Sequence, residues 1–411
     1  MNFLTEFTKF AAGTEAPENY NIWTAVSTMS TIMSRKVWLQ YGRFTIYANT
    51  YVVLLGPPGN GKTTSLNFGR KIIAAIPGIP AAAQAQTKES LVKELCATQQ
   101  KFEYPGGQIQ AAPMSIFITE LSHFLGPNSG HMLDFLTTVY DLDIYDARTK
   151  NKGDNIAYGP YVTLLACTTP DWVSTYLKTD IITGGFTRRA IFVNETEAIT
   201  RIPWPELSPE QTKAFENVIE IGKEKSKLIG EIVWSNMARK WFTEWYLDQK
   251  LPQDPTIRGY YRTLKVQLMK VAMVVSICER DDLILTDEHL QIALAMLDRI
   301  AGNLASVFRA VGRNELHAVG QKIVQLLDMN NGFMPKKEII RAMSAHANSR
   351  ELWEILTMLR DTDVVYEAKL DLGDGVPRDY ILTPFAKKQI EERLALKQDE
   401  DRARVGVVSG T

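Results

Sequence analysis

An α/β fold is expected: a mostly parallel sheet around a glycine loop, then a helical lid, then a small C-terminal winged-helix module. Three observations predict it. Tyr51-Val52-Val53-Leu54-Leu55 is apolar and β-branched without a break, as a strand buried on both faces requires. Met114–Ile118 and Tyr161–Cys167 are runs of the same kind, with helical stretches between them. From about residue 205 the apolar spacing becomes helical, and the last ninety or so residues read as helices followed by two short strands. The expected segments are a helical 1–50, a sheet core 51–204, a lid 205–312, a winged helix 313–396 and a disordered tail 397–411.

The strand from Tyr51 runs into Gly56-Pro57-Pro58-Gly59-Asn60-Gly61-Lys62-Thr63-Thr64, which fits the phosphate-loop pattern G-x-x-x-x-G-K-[ST]. Gly56, Gly59 and Gly61 allow the backbone to curl so that its N–H groups converge on phosphate oxygens. A helix starting at Lys62 adds its positive end. Lys62 is expected to reach the β and γ phosphates of ATP, and the Thr63 hydroxyl to ligate Mg²⁺. A plain glycine-rich turn would need neither the lysine nor these flanks.

The 411 residues are enough for two or three cores. Forty-six basic residues balance 47 acidic ones, so nucleic-acid contact must come from a local patch. Three separated cysteines and five histidines show no metal spacing, and Cys96, Cys167 and Cys278 read as core residues of a reducing compartment. Met1–Phe10 carries Glu6 and lacks a leader's apolar run, and no run of eighteen apolar residues exists. A cytoplasmic chain without a membrane partner is expected.

Before the loop, Ile22 to Trp38 shows helical spacing, ended by Tyr41-Gly42. Arg35 and Lys36 are read first as a solvated helix face, with nucleotide or nucleic-acid contact as the alternative. After the loop the helix runs to Ala75, Ala81–Gln86 suggests a short strand, and Thr87 caps a helix from Lys88 to about Gln100. The strand Met114–Thr119 ends in Glu120, a carboxylate suited to polarising an attacking water and serving the metal. A Glu that merely closes a strand is the alternative. Ile144 to Tyr158 reads as a hairpin with Arg148, Lys150 and Lys152 at its tip, a possible grip on DNA phosphates or a solvated turn. Thr168 and Thr169 close the third strand and can hydrogen-bond the γ-phosphate or the water. Gly184-Gly185-Phe186-Thr187-Arg188-Arg189 offers an arginine finger toward a neighbouring subunit, against a surface ion pair as the alternative.

In the lid, Ser208-Pro209-Glu210-Gln211 is a capping box with proline in the first turn. Helices are expected over Trp234–Leu247, Ile257–Cys278 and Asp287 to about Val311, the second placing Arg262 within reach of the nucleotide. Trp234, Trp241 and Trp245 stand at helical spacing and read as core. The C-terminal helices are expected at 315–329, 335–345 and 349–361, before strands at 364–370 and 378–382. The third helix carries Arg350 and Arg360 but also Glu351, Glu354 and Asp361, leaving DNA reading and protein docking evenly matched.

In order, Trp38, Ala48–Gly59, the strand to Glu120, Tyr140-Asp141, Thr168-Thr169-Pro170, Gly185–Arg188, Arg262–Lys265, Ala272 and Asp287 resemble phage and mobile-element ATPases related to primase–helicase proteins. The order is also similar to the minichromosome-maintenance type of AAA+ helicase. The resemblance covers residues 20 to about 310 and implies a P-loop NTPase of AAA+ type, a ring, in all expectation a hexamer, translocating on single-stranded DNA in replication. It implies Walker A at Lys62 and Thr63, Walker B at Glu120, the first sensor at Thr168 or Thr169, the finger at Arg188 and the second sensor at Arg262. Thr119 stands where the family has Asp, and about fifty residues before the loop are too few for a priming domain. A helicase loader or protein remodeller docking another replication protein is the second expectation, a slow nucleotide switch the third and a metabolite kinase the fourth.

Overall fold

The computed structural model describes residues 2–390 apart from 127–128, 150–152, 171, 174–184, 196–200, 254 and 372–375. The chain divides into two compact units, 1–311 and 312–411. In unit 1 the strands are β1 (Val37–Tyr41), β2 (Phe44–Tyr47), β3 (Tyr51–Leu55), β4 (Gln100–Tyr104), β5 (Gly107–Ile118), β6 (Ile144–Thr149), β7 (Gly153–Tyr158), β8 (Pro160–Thr168), β9 (Ala190–Asn194), β10 (Gly230–Trp234) and β11 (Ile284–Leu285). The main sheet has the order β4-β5-β8-β3-β9, parallel except where β4 pairs antiparallel with β5. Every residue of β3, β8 and β9 is buried, which accounts for their continuous apolar runs.

The helix Glu18–Met33 is covered almost all round and runs through the middle of the unit. Three of its polar residues bond to neighbouring elements. Thr24 meets Ser65 of the helix after the glycine loop at 2.9 Å, Ser30 Oγ donates to Ala48 O at 2.7 Å, and Thr31 meets Thr163 of β8 at 2.8 Å. Such bonds hold the helix in one register on the sheet, because an unpaired buried hydroxyl costs about 1–3 kcal/mol.

Several expectations are corrected. The helix before the loop stops at Met33, and Val37–Tyr41 is a strand. It pairs antiparallel with β2 and parallel with β10, in a second sheet of order β11-β10-β1-β2. The segment 1–50 is therefore not wholly helical. Trp234 ends strand β10, and the following helix is Asn236–Asp248, capped by Ser235. Ala81–Gln86 forms only one bridge, Ala81 to Ser115. Arg35 is buried, not solvated. In each case a partner distant in sequence decides the outcome. The β6–β7 hairpin, the Thr87 cap and the Ser208–Gln211 capping box form where expected.

Unit 2 has its own core, built on Ile323, Leu327, Ile339, Leu352, Ile355 and Ile381. Its helices include Lys336–Met343 and Ser349–Asp361, the latter closed by a capping box of Asn348 and Glu351. Strands β12 (Phe333–Pro335), β13 (Tyr366–Leu370) and β14 (Arg378–Leu382) form an antiparallel sheet of order β12-β14-β13. One continuous helix, Asp287–Met329, replaces the two expected over this stretch. The tail 397–411 lies outside the described residues. Among the described residues no helix is long and apolar enough to cross a membrane.

Candidate functional site

Parallel strands gather their C-terminal ends on one edge of a sheet, where loops can converge on a ligand. Here β3 lies between β8 and β9, with Leu55 level with Thr168 on one side and Asn194 on the other. Gly56–Gly61 leaves β3 at this point and the helix Lys62–Ala75 follows. Gly59 and Gly61 have φ of +81° and +71°, conformations that strain any residue with a side chain. Gly56 is constrained by space. A Cβ there would meet Glu195 O at 2.6 Å, Asn60 Nδ2 at 2.8 Å and the Tyr20 hydroxyl.

A brace holds the loop. Tyr20 donates its hydroxyl to Leu55 O, and Asn60 Nδ2 donates to Glu195 O at 2.8 Å. Asn19 Nδ2 donates to the Glu195 carboxylate at 2.5 Å. Pro57, Pro58, Gly59, Thr63 and Thr64 are exposed around the loop mouth. The first N–H groups of the helix have no acceptor within it and face the same mouth.

Lys62 is 9% exposed, and its Nζ donates to Gly56 O at 2.6 Å and Pro57 O at 2.7 Å. The ammonium thus sits folded over the loop. Burial lowers its pKa, while the Glu120 carboxylate acts in the opposite direction. Burial also pushes the Cys167 thiol up to about 12, so Cys167 stays a neutral packing residue.

Thr168 is 1% exposed, and its hydroxyl has no hydrogen-bond partner among the described residues. A buried hydroxyl without a partner is costly, and at the end of a strand beside the glycine loop it is a vacant hydrogen-bonding group for a ligand. Thr169 Oγ1 instead accepts from Trp172 N at 3.3 Å. Glu120 follows β5 and is half-buried, its carboxylate accepting from Ser122 Oγ at 2.8 Å. Thr119 is bound to Gln84 through its N and Oγ1, both at 3.3 Å. Thr119 therefore has an occupied hydroxyl, and Glu120 is a carboxylate whose charge acts on the loop's lysine.

Two predicted residues lie elsewhere. Arg188 lies two residues before β9, at the N-terminal edge of the sheet, and its carbonyl accepts from Thr263 Oγ1 at 2.9 Å. Arg262 adjoins Thr263 and is exposed. The structure therefore brings Arg262 to Arg188's edge and not to the glycine loop on the opposite edge. Of the hairpin tip, Arg148 lies in β6, while Lys150 and Lys152 fall outside the described residues.

Tyr20, Asn19, Glu195 and Gln84 support this site without having been singled out from the sequence. They reach it from distant positions and carry no local motif. No protein-family model matches the chain, and no curated protein matches it.

Proposed function

We propose that the chain is a P-loop ATPase that binds ATP with Mg²⁺ at Gly56–Thr64, and that it works as a ring-forming translocase or helicase on single-stranded DNA in phage or mobile-element replication. The observation that carries the ATP reading is the orphaned Thr168 hydroxyl level with Leu55, beside a glycine loop whose lysine is already folded over it. The residues fit the group. Backbone N–H groups and Lys62 would bind phosphate, and the exposed Thr63 hydroxyl and the Glu120 carboxylate would hold the metal. Bound ATP with Mg²⁺ supplies the phosphoanhydride and the charge that offsets its cleavage. Lys62 leaves the Gly56 and Pro57 carbonyls to bind phosphate oxygens. Thr168 donates its hydrogen bond, and Glu120, released from Ser122, accepts a proton from the attacking water.

Arg188 supports a ring. It is separated from its own loop by the length of β9, roughly 15 Å at about 3.3 Å per residue, so its guanidinium serves a neighbouring copy's phosphates. Arg262, at the same edge, belongs to that reading too.

A loader or remodeller is the second reading, and unit 2 favours it. Arg350 pairs with Glu354 at 3.3 Å and Arg360 with Asp361 at 3.4 Å, so the cations of that helix are neutralised on their own unit. Trp353 of the same helix is 62% exposed, a surface suited to protein docking. In a winged helix this is the helix that would read DNA.

The test is the ATPase rate against oligo(dT) concentration at two salt levels, for wild type, Lys62→Ala and Lys150→Ala/Lys152→Ala. Hydrolysis lost in Lys62→Ala, together with salt-sensitive DNA stimulation lost in the double variant, is expected. A rate that ignores DNA in every chain sinks the translocase and leaves the docking reading in front. Hydrolysis that survives Lys62→Ala sinks the ATPase site itself.

A further inference from the structure

A large cleft of unit 1 lies away from the glycine loop. It has a volume of about 690 Å³ and opens at the N-terminal edge of the main sheet, where β8 and β9 begin. Six basic side chains line it: Arg35, Arg43, Arg188, Arg189, Lys265 and Lys270, against two carboxylates, Asp141 and Asp143. They come from four separate parts of the chain. The two carboxylates are taken up by Arg189 (2.8 Å) and by Arg35, and both lean toward water.

The floor is built from buried polar groups. Lys270 is 3% exposed, donates to Asn49 Oδ1 at 2.6 Å and lies 4.0 Å over the Tyr140 ring. Arg35 is also buried, donating to Pro160 O at 3.1 Å, with its guanidinium 4.0 Å over the Tyr47 ring. The Tyr140 hydroxyl and Gln267 Oε1 face each other here, yet no hydrogen bond of proper geometry closes on either atom among the described residues. Phe44, 66% exposed, stands at the rim next to Arg43. Of the six basic side chains, Arg35 and Lys270 are buried, and Lys270 has no carboxylate in salt-bridge contact among the described residues. An ammonium held out of water is costly, and an anion seated beside it removes that cost. Guanidinium forks beside an ammonium match phosphate oxygens, and the volume is that of a small-ligand site.

We propose that this cleft binds polyphosphate groups, as a second anion site on the opposite edge of the sheet from Gly56–Thr64. Arg43 and Lys265 form the rim, while Lys270, Gln267 and Tyr140 complete the floor, with Phe44 and Tyr47 placed to stack on an attached base. The inference does not rest on ATP binding at the loop.

Calorimetric titration of inorganic tripolyphosphate into the full chain carrying Lys62→Ala tests it, since that change removes the loop's lysine. One site per chain is expected, weakened about tenfold or more when Arg43→Ala/Lys265→Ala is added at the rim. Absence of binding in the Lys62→Ala chain, or binding that the rim variant leaves unchanged, overturns the proposal. Competition by 5′-phosphorylated oligo(dT) then distinguishes the sources. Displacement of tripolyphosphate assigns the cleft to a nucleic-acid backbone, and failure to displace it assigns the cleft to free polyphosphates.

Discussion

The two edges of one parallel sheet carry the two proposed anion sites, and the two are built in opposite ways. At the C-terminal edge a contiguous run, Gly56–Thr64, arranges backbone N–H groups, and the side chains around it mainly brace the loop. At the N-terminal edge Arg35, Arg43, Arg189 and Lys270 project from distant segments, and side chains carry all the charge. Backbone recognition needs positive φ and close packing, which glycine alone permits, so it leaves a motif. Side-chain recognition needs only proximity in the fold and leaves none. The cost differs as well. The loop keeps one lysine folded on carbonyls, whereas the cleft holds Lys270 fully out of water.

The largest effect that would break the contrast is at Lys62. Lys62→Ala is expected to lower ATP hydrolysis about 10³-fold, roughly 4 kcal/mol in the barrier, with the melting temperature little changed. Near-normal turnover by a phosphate-release assay would remove the loop's claim to chemistry.

Lys270 sharpens the other side. Burial lowers its pKa to about 7 from 10.5, with Asp141 opposing and Arg189 and Arg35 reinforcing the shift. Between these values the unfolded chain binds one more proton here than the folded chain, so stability rises with pH across that window. Denaturant unfolding at pH 7 and pH 10 is expected to show a rise of about 3 kcal/mol in wild type over and above that in Lys270→Met. Equal slopes in the two chains would show that Lys270 is charged and hydrated at neutral pH.

At Gly56 the contrast concerns space. Gly56→Ala places a Cβ against Glu195 O, Asn60 and Tyr20, and is expected to lower unfolding free energy by about 2 kcal/mol as the brace shifts. Gly59→Ala meets no atom within 4 Å, but its φ of +81° leaves a penalty of about 1 kcal/mol. If the two cost the same, crowding around Gly56 is not what the loop depends on.

The smallest effect separates binding from folding. Thr168→Val replaces an unpartnered buried hydroxyl by a methyl group, so thermal stability is expected to hold or rise slightly. ATP hydrolysis is expected to fall about tenfold, roughly 1.4 kcal/mol. A stability loss with unchanged turnover would make Thr168 an ordinary core residue.

Much of unit 1 was legible in the chain. The buried strands, the glycine loop, the β6–β7 hairpin and the Ser208–Gln211 capping box are local, written in residues that touch their own neighbours. The apolar spacing of strand β1 suits helix or strand alike, and pairing with β2 and β10 settles it. The sequence order of Arg262 is compatible with a place at the nucleotide, whereas its neighbour Thr263 bonds to Arg188 on the far edge.

The sequence by itself determined the strand-loop-helix at Tyr51–Ala75, since glycine's freedom and a buried apolar run are properties of individual residues. Only the tertiary structure decided that Thr168 ends beside this loop with its hydroxyl vacant. It alone decided that Arg35 and Lys270 meet at the opposite edge. The physical reason is range. Backbone conformation is set within a few bonds, while burial and charge depend on which distant segments the packed core brings together.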